Sequence, residues 1–186
     1  MTKLADKNPA QNQAHTQFQG ILIALGANLI GPHGEPPAQT VRAAAKAVGQ
    51  LFEGLGYKIS RFYSSAPVPV SDQPRFINAV LRVDIGNHFA PDPASILANL
   101  HEIEAQFGRM RSIRNAARTL DLDLIACGDL VINSPTLTLP HPRAHQRLFV
   151  LLPLRDVAPE WRHPVSRVLV SGLIEALPPA DIRVED

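Results

Sequence analysis

The segment Leu120–Cys127 (Leu-Asp-Leu-Asp-Leu-Ile-Ala-Cys) restricts the fold of this chain more than any other. Leu120, Leu122, Leu124 and Ala126 share one parity, while Asp121, Asp123 and Cys127 share the other. A strand sends alternate residues to opposite faces, so the leucines enter a core and the two carboxylates point together to the other side. At about 3.3 Å of rise per residue their Cα atoms stand roughly 6.5–7 Å apart. Carboxylates so placed converge on one or two divalent cations of the hard, oxygen-seeking kind. Directly upstream, Arg109, Arg111, Arg114 and Arg118 fall within ten residues with no acid among them. Guanidinium forks match phosphate oxygens. Metal-holding acids preceded by an arginine loop point to phosphoryl transfer from a nucleotide. Plainer readings stand beside this one: Asp-x-Asp commonly marks a solvated strand face, and four arginines equally make an exposed loop or a nucleic-acid patch.

The rest of the chain supplies the frame. Gly20–Gly26 reads as a short buried strand that ends in a Gly26-Ala27-Asn28-Leu29 turn. Pro37 opens a helix carrying Val41, Ala45, Val48, Phe52 and Leu55 at helical spacing, ended by Gly54 or Gly56. Tyr57–Tyr63 is expected as a second strand and Ser64–Pro74, with three prolines, as a loop. In Phe76–Ile85 the alternation buries Ile77, Ala79, Leu81, Val83 and Ile85 and leaves Phe76 and Asn78 together on the opposite face. An aromatic beside an amide suits a flat, hydrogen-bonding heterocycle; packing under the loop explains them as well. Asp92-Pro93 starts a second helix, with Ile96, Leu100, Ile103 and Phe107 as its buried stripe and Gly108 as its stop. His101 and Glu104 lie three apart at the edge of that stripe, either on the surface or near a ligand. Leu130–Asn133 is a short strand, Thr136–Arg147 a basic, proline-bounded loop, and Leu148–Val157 a return to the core. A helix near Ser166–Leu177 closes the chain. The order β-α-β-β-α-β with a C-terminal extension is the ferredoxin-like plan, an α+β fold with a mostly antiparallel sheet flanked by helices.

Composition narrows the classes. A net charge of +1 over 186 residues gives no global field for nucleic acid or an anionic membrane. The length suits one domain, expected over 20–186, with residues 1–19 as a disordered extension. That extension lacks the apolar core of a secretory signal, and no apolar run is long enough to span a bilayer. A single cysteine suits a reducing compartment. The expectation is a soluble cytoplasmic monomer that works on small molecules.

Several motifs, in order, give this chain a resemblance to a known family. Leu-Gly-Ala-Asn-Leu (25–29), Asp-Gln-Pro-Arg-Phe-Ile-Asn-Ala (72–79), Ile-Glu-Ala-Gln-Phe-Gly-Arg (103–109), Ala-Arg-Thr-Leu-Asp-Leu-Asp-Leu-Ile (117–125) and Leu-Pro-His-Pro-Arg (139–143) are similar to those of the 6-hydroxymethyl-7,8-dihydropterin pyrophosphokinases of folate biosynthesis. The likeness runs from Ile21 to about His163. It implies transfer of the β,γ-pyrophosphoryl group of ATP to the pterin hydroxymethyl oxygen, with release of AMP. By the same resemblance Asp121 and Asp123 hold two Mg²⁺ ions, Arg109 and Arg118 neutralise charge on the moving group, and Arg111 and Arg114 help close the loop. Glu104, Thr138, His141 and Arg147 match ATP-site positions, and Leu124 lies where backbone reads adenine. Phe76 and Phe149 sandwich the pterin, whose edge bonds to Asn78 and to the backbone around Ser65, Ala66 and Val68.

The chain departs from the family pattern at a few places. Asn115-Ala116-Ala117 stands where Trp-Gly-Pro is frequent, His101 where a glutamine is common, Pro142 where an aromatic occurs and Phe76 where tyrosine is frequent. Three alternatives stay open on sequence grounds: an RNA-binding module of the same topology, a metal-dependent phosphohydrolase, and a relative that binds nucleotide without turnover.

Overall fold

The computed structural model describes residues 18–86, 91–109 and 117–185. Its strands are β1 (Gly20–Ala27), β2 (Tyr57–Ile59), β3 (Phe62–Ser65), β4 (Phe76–Asp84), β5 (Asp121–Cys127), β6 (Ile132–Asn133), β7 (Thr138–Leu139) and β8 (Ile182–Glu185). The α-helices are α1 (Pro37–Gln50), α2 (Pro93–Gln106), α3 (Leu148–Val157) and α4 (Val170–Glu175). Six strands form one sheet in the order β5-β1-β4-β3-β8, with β2 also on β4 and every pairing antiparallel. The expected α+β, ferredoxin-like core is present. β6 and β7 make a small separate ribbon.

One face of the sheet is apolar from end to end. Ile21, Ile23 and Leu25 of β1, Ala79, Leu81 and Val83 of β4, and Leu122 and Leu124 of β5 pack there under Val41, Ala44 and Val48 of α1 and Ile96, Leu100 and Ile103 of α2. Both helices start as expected. Pro37 and Pro93 occupy the first turns, and the Asp92 carboxylate accepts from the Ala94 N–H at 3.1 Å. Among the described residues the opposite face is covered over only part of its area, where Leu22, Val80, Ile125 and Ala126 meet Val150, Leu151, Leu154 and Val157 of α3 and the buried Trp161.

Four expectations need correction. The strand expected over Tyr57–Tyr63 is broken at Ser60-Arg61. Register runs from Ile59↔Leu81 to Tyr63↔Asn78, four steps against three, so one residue bulges. Ser60 closes the gap, its Oγ accepting from Val80 N–H at 3.0 Å. A second bulge sits between Leu22 and Ile23 opposite β5, where Ile125 is the extra residue. It reverses the parity of the strand beyond it: Cys127 joins the leucine core and Ala126 faces α3. The folded body also begins earlier than residue 20. Phe18 is buried under the Arg82 guanidinium and the Gln19 carbonyl accepts from Ile85 N–H, because the aromatic covers the open end of the α3 side. The expected extension otherwise falls on residues 1–17, outside the described residues. Finally, the C-terminal helix spans only Val170–Glu175, and the chain then adds β8 to the sheet edge, a strand the exposed, weakly alternating Ile182–Glu185 does not announce.

Candidate active site

Where α3 stops covering the second sheet face, a cleft opens. Its floor is a cross-sheet row, Asp121–Gly26–Asn78, with Asp123 and Ala24 paired in the next row. The depth comes from Ala24 and Gly26. A Cβ at Gly26 would lie 3.8 Å from Asn78 Oδ1 and 4.0 Å from Asp121 Cβ, within the floor itself. Ser65, Ala66, Val68, Phe76 and Asn78 line one end, and Arg109, Arg118, Asp121 and Asp123 the other. Arg147 and Phe149, at the start of α3, also line it. Residues far apart in sequence thus meet in one cavity.

The charged end is tightly wired. Asp121 accepts from Arg109 Nη2 on Oδ1 at 2.7 Å and from Arg118 Nη1 on Oδ2 at 2.6 Å. Burial and the neighbouring Asp123 nonetheless push its carboxyl above the ordinary range, outweighing the two arginines. Two partly desolvated carboxylates side by side on one strand favour a further cation. Hard oxygen donors suit Mg²⁺, which takes few protein ligands and completes its shell with phosphate and water. Among the described residues no cluster of three or more His, Cys, Asp or Glu is present.

Of the residues expected to contact ATP, Arg147 is on the lining of the cleft, whereas Glu104, Leu124, Thr138 and His141 are not. Glu104, 1% exposed, accepts through Oε1 from Arg109 Nη1 and, at 2.7 Å, from the Leu122 N–H. It fixes Arg109 to the β5 backbone and meets the site through that arginine. His141 is held by its N–H to the Ile125 carbonyl, with Nε2 3.9 Å from Asp123 Oδ2. Its Nδ1 accepts from the Arg143 N–H at 3.3 Å, which leaves the proton on Nε2, facing the aspartates. Burial lowers its pKa, against the pull of Asp123, and so favours the neutral ring. Burial, then Arg143, also disfavours the charge on Arg147, a penalty that an anion would relieve. Leu124 is buried in the core and Thr138 pairs in the small ribbon. Arg111, Arg114 and the Asn115-Ala116 positions lie outside the described residues.

At the other end, Phe76 and Phe149 are half-buried and Asn78 is 6% exposed. The Asn78 amide donates to Ser65 Oγ at 3.0 Å and to the Tyr63 carbonyl at 3.1 Å. Its orientation is therefore preset, with Oδ1 directed over Gly26.

Sequence reasoning gave Asn28 no role: it was read as part of a turn and quoted within a motif. Buried at 2% exposure, it accepts on Oδ1 from the Arg118 N–H at 2.8 Å, while its own N–H donates to the Arg118 carbonyl at 3.1 Å. Its Nδ2 donates to Gln73 Oε1 at 3.3 Å and to the Pro74 carbonyl at 3.1 Å. One amide thus ties the arginine of the charged end to the loop of the aromatic end. An amide immediately after a buried strand was the available signal. Arg143, which also lines the cleft, was quoted in a motif and given no role.

A family model described as 7,8-dihydro-6-hydroxymethylpterin-pyrophosphokinase (HPPK) matches residues 22–159. The chain belongs to this family. A 2-amino-4-hydroxy-6-hydroxymethyldihydropteridine pyrophosphokinase of Pseudomonas aeruginosa is 38% identical over 152 residues, covering 82% of this chain and 88% of that one. Its Haemophilus influenzae counterpart is 37% identical, covering 79% and 86%. Longer relatives exist too: the folic acid synthesis protein fol1 of Pneumocystis carinii is 38% identical over 96% of this chain but only 23% of its own length. Among solved structures, an HPPK-DHPS in complex with substrates has a TM-score of 0.59 at 13% identity, covering 86% of this chain and 43% of that one. A Plasmodium falciparum HPPK-DHPS triple mutant with pteroate has 0.60 at 15%, covering 88% and 44%. At such identities these structures speak for the shared fold, and the pyrophosphokinase-family topology is that of the sheet described above.

Proposed function

We propose that this cleft joins ATP to 6-hydroxymethyl-7,8-dihydropterin, with the triphosphate at the Asp121/Asp123 end and the pterin between Phe76 and Phe149. The chain is a pterin pyrophosphokinase of folate biosynthesis. A bond forms between the hydroxymethyl oxygen and the β-phosphorus as the bond from that phosphorus to the α,β-bridging oxygen breaks. The hydroxyl O–H bond is broken with its proton released to solvent, and AMP leaves. The observation that carries this reading is one cavity with carboxylates and arginines at one end and an oriented amide between aromatics at the other.

The division of labour rests on the geometry. Asp121 and Asp123 would hold Mg²⁺, two ions on this reading, which when bound neutralises phosphate charge and polarises the transferred group. Arg109 and Arg118 are presented on Asp121 and exchange one carboxylate for phosphate oxygens of the same charge and shape. Glu104 keeps Arg109 in place during that exchange. His141 Nε2–H and Arg147 donate to the triphosphate. Asn78 Oδ1 accepts from the pterin edge, and the backbone at Ser65, Ala66 and Val68 reads the rest of it. Positioning and charge stabilisation are what phosphoryl transfer chiefly demands of a protein.

The test is incubation with Mg-ATP, with and without the pterin, followed by separation of nucleotides and titration of the metal. AMP formed only with pterin, and only with divalent metal, is the expected result. ADP or free phosphate independent of pterin would overturn it in favour of a phosphohydrolase.

A further inference from the structure

We propose that strand β8 and the Arg75–Asp181 pair form a clamp on the aromatic end of the cleft, setting pterin affinity without acting on ATP. Both β8 and Asp181 lie beyond residues 22–159, the part that the family model matches. The inference rests on the pterin placement above.

The clamp is built around one guanidinium. Arg75 Nε donates to Ser64 Oγ at 2.8 Å and Nη2 to the Ser64 carbonyl at 3.1 Å. Toward the C-terminus, Nη1 donates to Asp181 Oδ2 at 2.6 Å and Nη2 to the Asp181 carbonyl at 3.0 Å. Immediately after Asp181, β8 pairs with β3 in the register Ser65↔Ile182, Ser64↔Arg183, Tyr63↔Val184. One fork therefore fastens the last loop residue before β4 to β3 on one side and to the C-terminal segment on the other.

What it fastens is the aromatic end itself. Arg75 leads directly into Phe76, whose register partner is Ser65, and Ser65 Oγ is the acceptor that orients Asn78. A shift of Arg75 or Ser64 moves all three. The charged end is carried on β5 and β1, and among the described residues β8 pairs with β3 and with neither of them. The Asn28 link from Arg118 reaches Gln73 and Pro74, not Arg75.

Magnitude decides how the clamp reads out. The side chains of Arg75 and Asp181 are 34% and 53% exposed, and pairs so solvated add little to global stability. A planar fork making four bonds does fix direction. Its loss therefore appears as looser pterin binding and hardly as a change in melting temperature.

The experiment compares the full-length chain with Asp181→Asn and Arg75→Lys, measuring pterin binding directly by titration calorimetry and KM for each substrate. In both variants KM for pterin should rise by roughly three- to tenfold, as loss of one charge-assisted bond at a part-exposed site implies. The kcat, the KM for ATP and the melting temperature should stay near wild type, and Asp181→Glu should restore much of the pterin affinity. Unchanged pterin KM in both folded variants overturns the clamp, as does a parallel rise in both KM values with a fallen melting temperature. Failure of the unaltered protein to bind pterin overturns the placement on which the clamp rests, and is seen without any variant.

Discussion

The two halves of one sheet face invite comparison. Both are built from the same three central strands, β5, β1 and β4. In the covered half, Leu22, Val80, Ile125 and Ala126 disappear under α3. In the open half, a few positions along the same strands, the equivalent places are Ala24, Gly26, Asn78, Asp121 and Asp123. Side-chain volume and charge, together with the bulge at Ile125 that lies between the halves on β5, separate a packed layer from a cleft. The covered half stabilises the fold, while in the open half burial and the neighbouring Asp123 disfavour the charge that Asp121 carries. Destabilised polar constellations of this sort are characteristic of sites.

Substitutions that break the comparison most sharply fall on β5 and α3. Asp121→Ala or Asp123→Ala should lower turnover by roughly 10³-fold, the several kcal/mol of charge stabilisation a bound metal supplies at about 1.4 kcal/mol per decade. Melting temperature should hold. Asp121→Asn should keep or raise it, since the carboxyl is pushed up and its charged form is what the fold disfavours. Leu154→Ala, in the covered half at 0% exposure, should do the reverse, costing about 2–5 kcal/mol of stability. Activity per folded molecule should persist. A steady-state assay alongside thermal melts checks both, and a large stability loss in Asp121→Asn would contradict the contrast.

Arg118→Ala comes next. If its guanidinium acts on charge that develops in transfer, kcat should fall about 100-fold while ATP affinity falls much less. Equal losses in both would make it a binding residue. Asn28→Ala should have a smaller effect of a distinct kind, because the amide touches Arg118 and the Gln73–Pro74 loop together. Kinetics should show a rise in pterin KM together with a fall in kcat, each within about tenfold for the loss of buried hydrogen bonds. A change confined to ATP affinity would break the proposed link.

The sequence carried the frame and the open half well, and for physical reasons. Period-2 patterning in 76–85 and 120–124 placed the leucines and the aspartates on their proper faces, and prolines and glycines marked the helix ends. The bulge at Ile125 was not legible, since it arises from the pairing of β5 with β1 and reverses parity with no local signal. Neither was β8, whose residues are mostly exposed and gain their strand geometry from the edge of β3. Asn28 was visible as a residue but not as a hinge point, because its three partners come from remote loops. Resemblance to the family filled in the aromatic end, where residues alone left Phe76 and Asn78 open between packing and binding.

The mildest effect expected is on pH dependence, and it belongs to the covered half. His163 is 8% exposed beside Trp161 and His145, with ring centroids 5.8 and 5.1 Å away. Its Nδ1 accepts from the N–H groups of Val165 at 3.3 Å and Ser166 at 3.2 Å, so a proton there would remove both bonds. Burial, and then His145, lower its pKa below the ordinary value of about 6.5. The unfolded chain thus binds this proton more readily than the folded one. The stabilising contribution is complete above about pH 6.5 and is lost as pH falls through the lower folded value. Asparagine at 163 retains an acceptor for the same turn without a titrating ring. Melting temperatures of His163→Asn and the unaltered protein, measured from about pH 8 to pH 5, should converge toward acid as the histidine protein loses its advantage. Because His141 is present in both, its own depressed pKa cancels from the difference. Parallel curves would show that the covered half is as indifferent to protons as its apolar lining implies, leaving the open half as the source of any acid sensitivity.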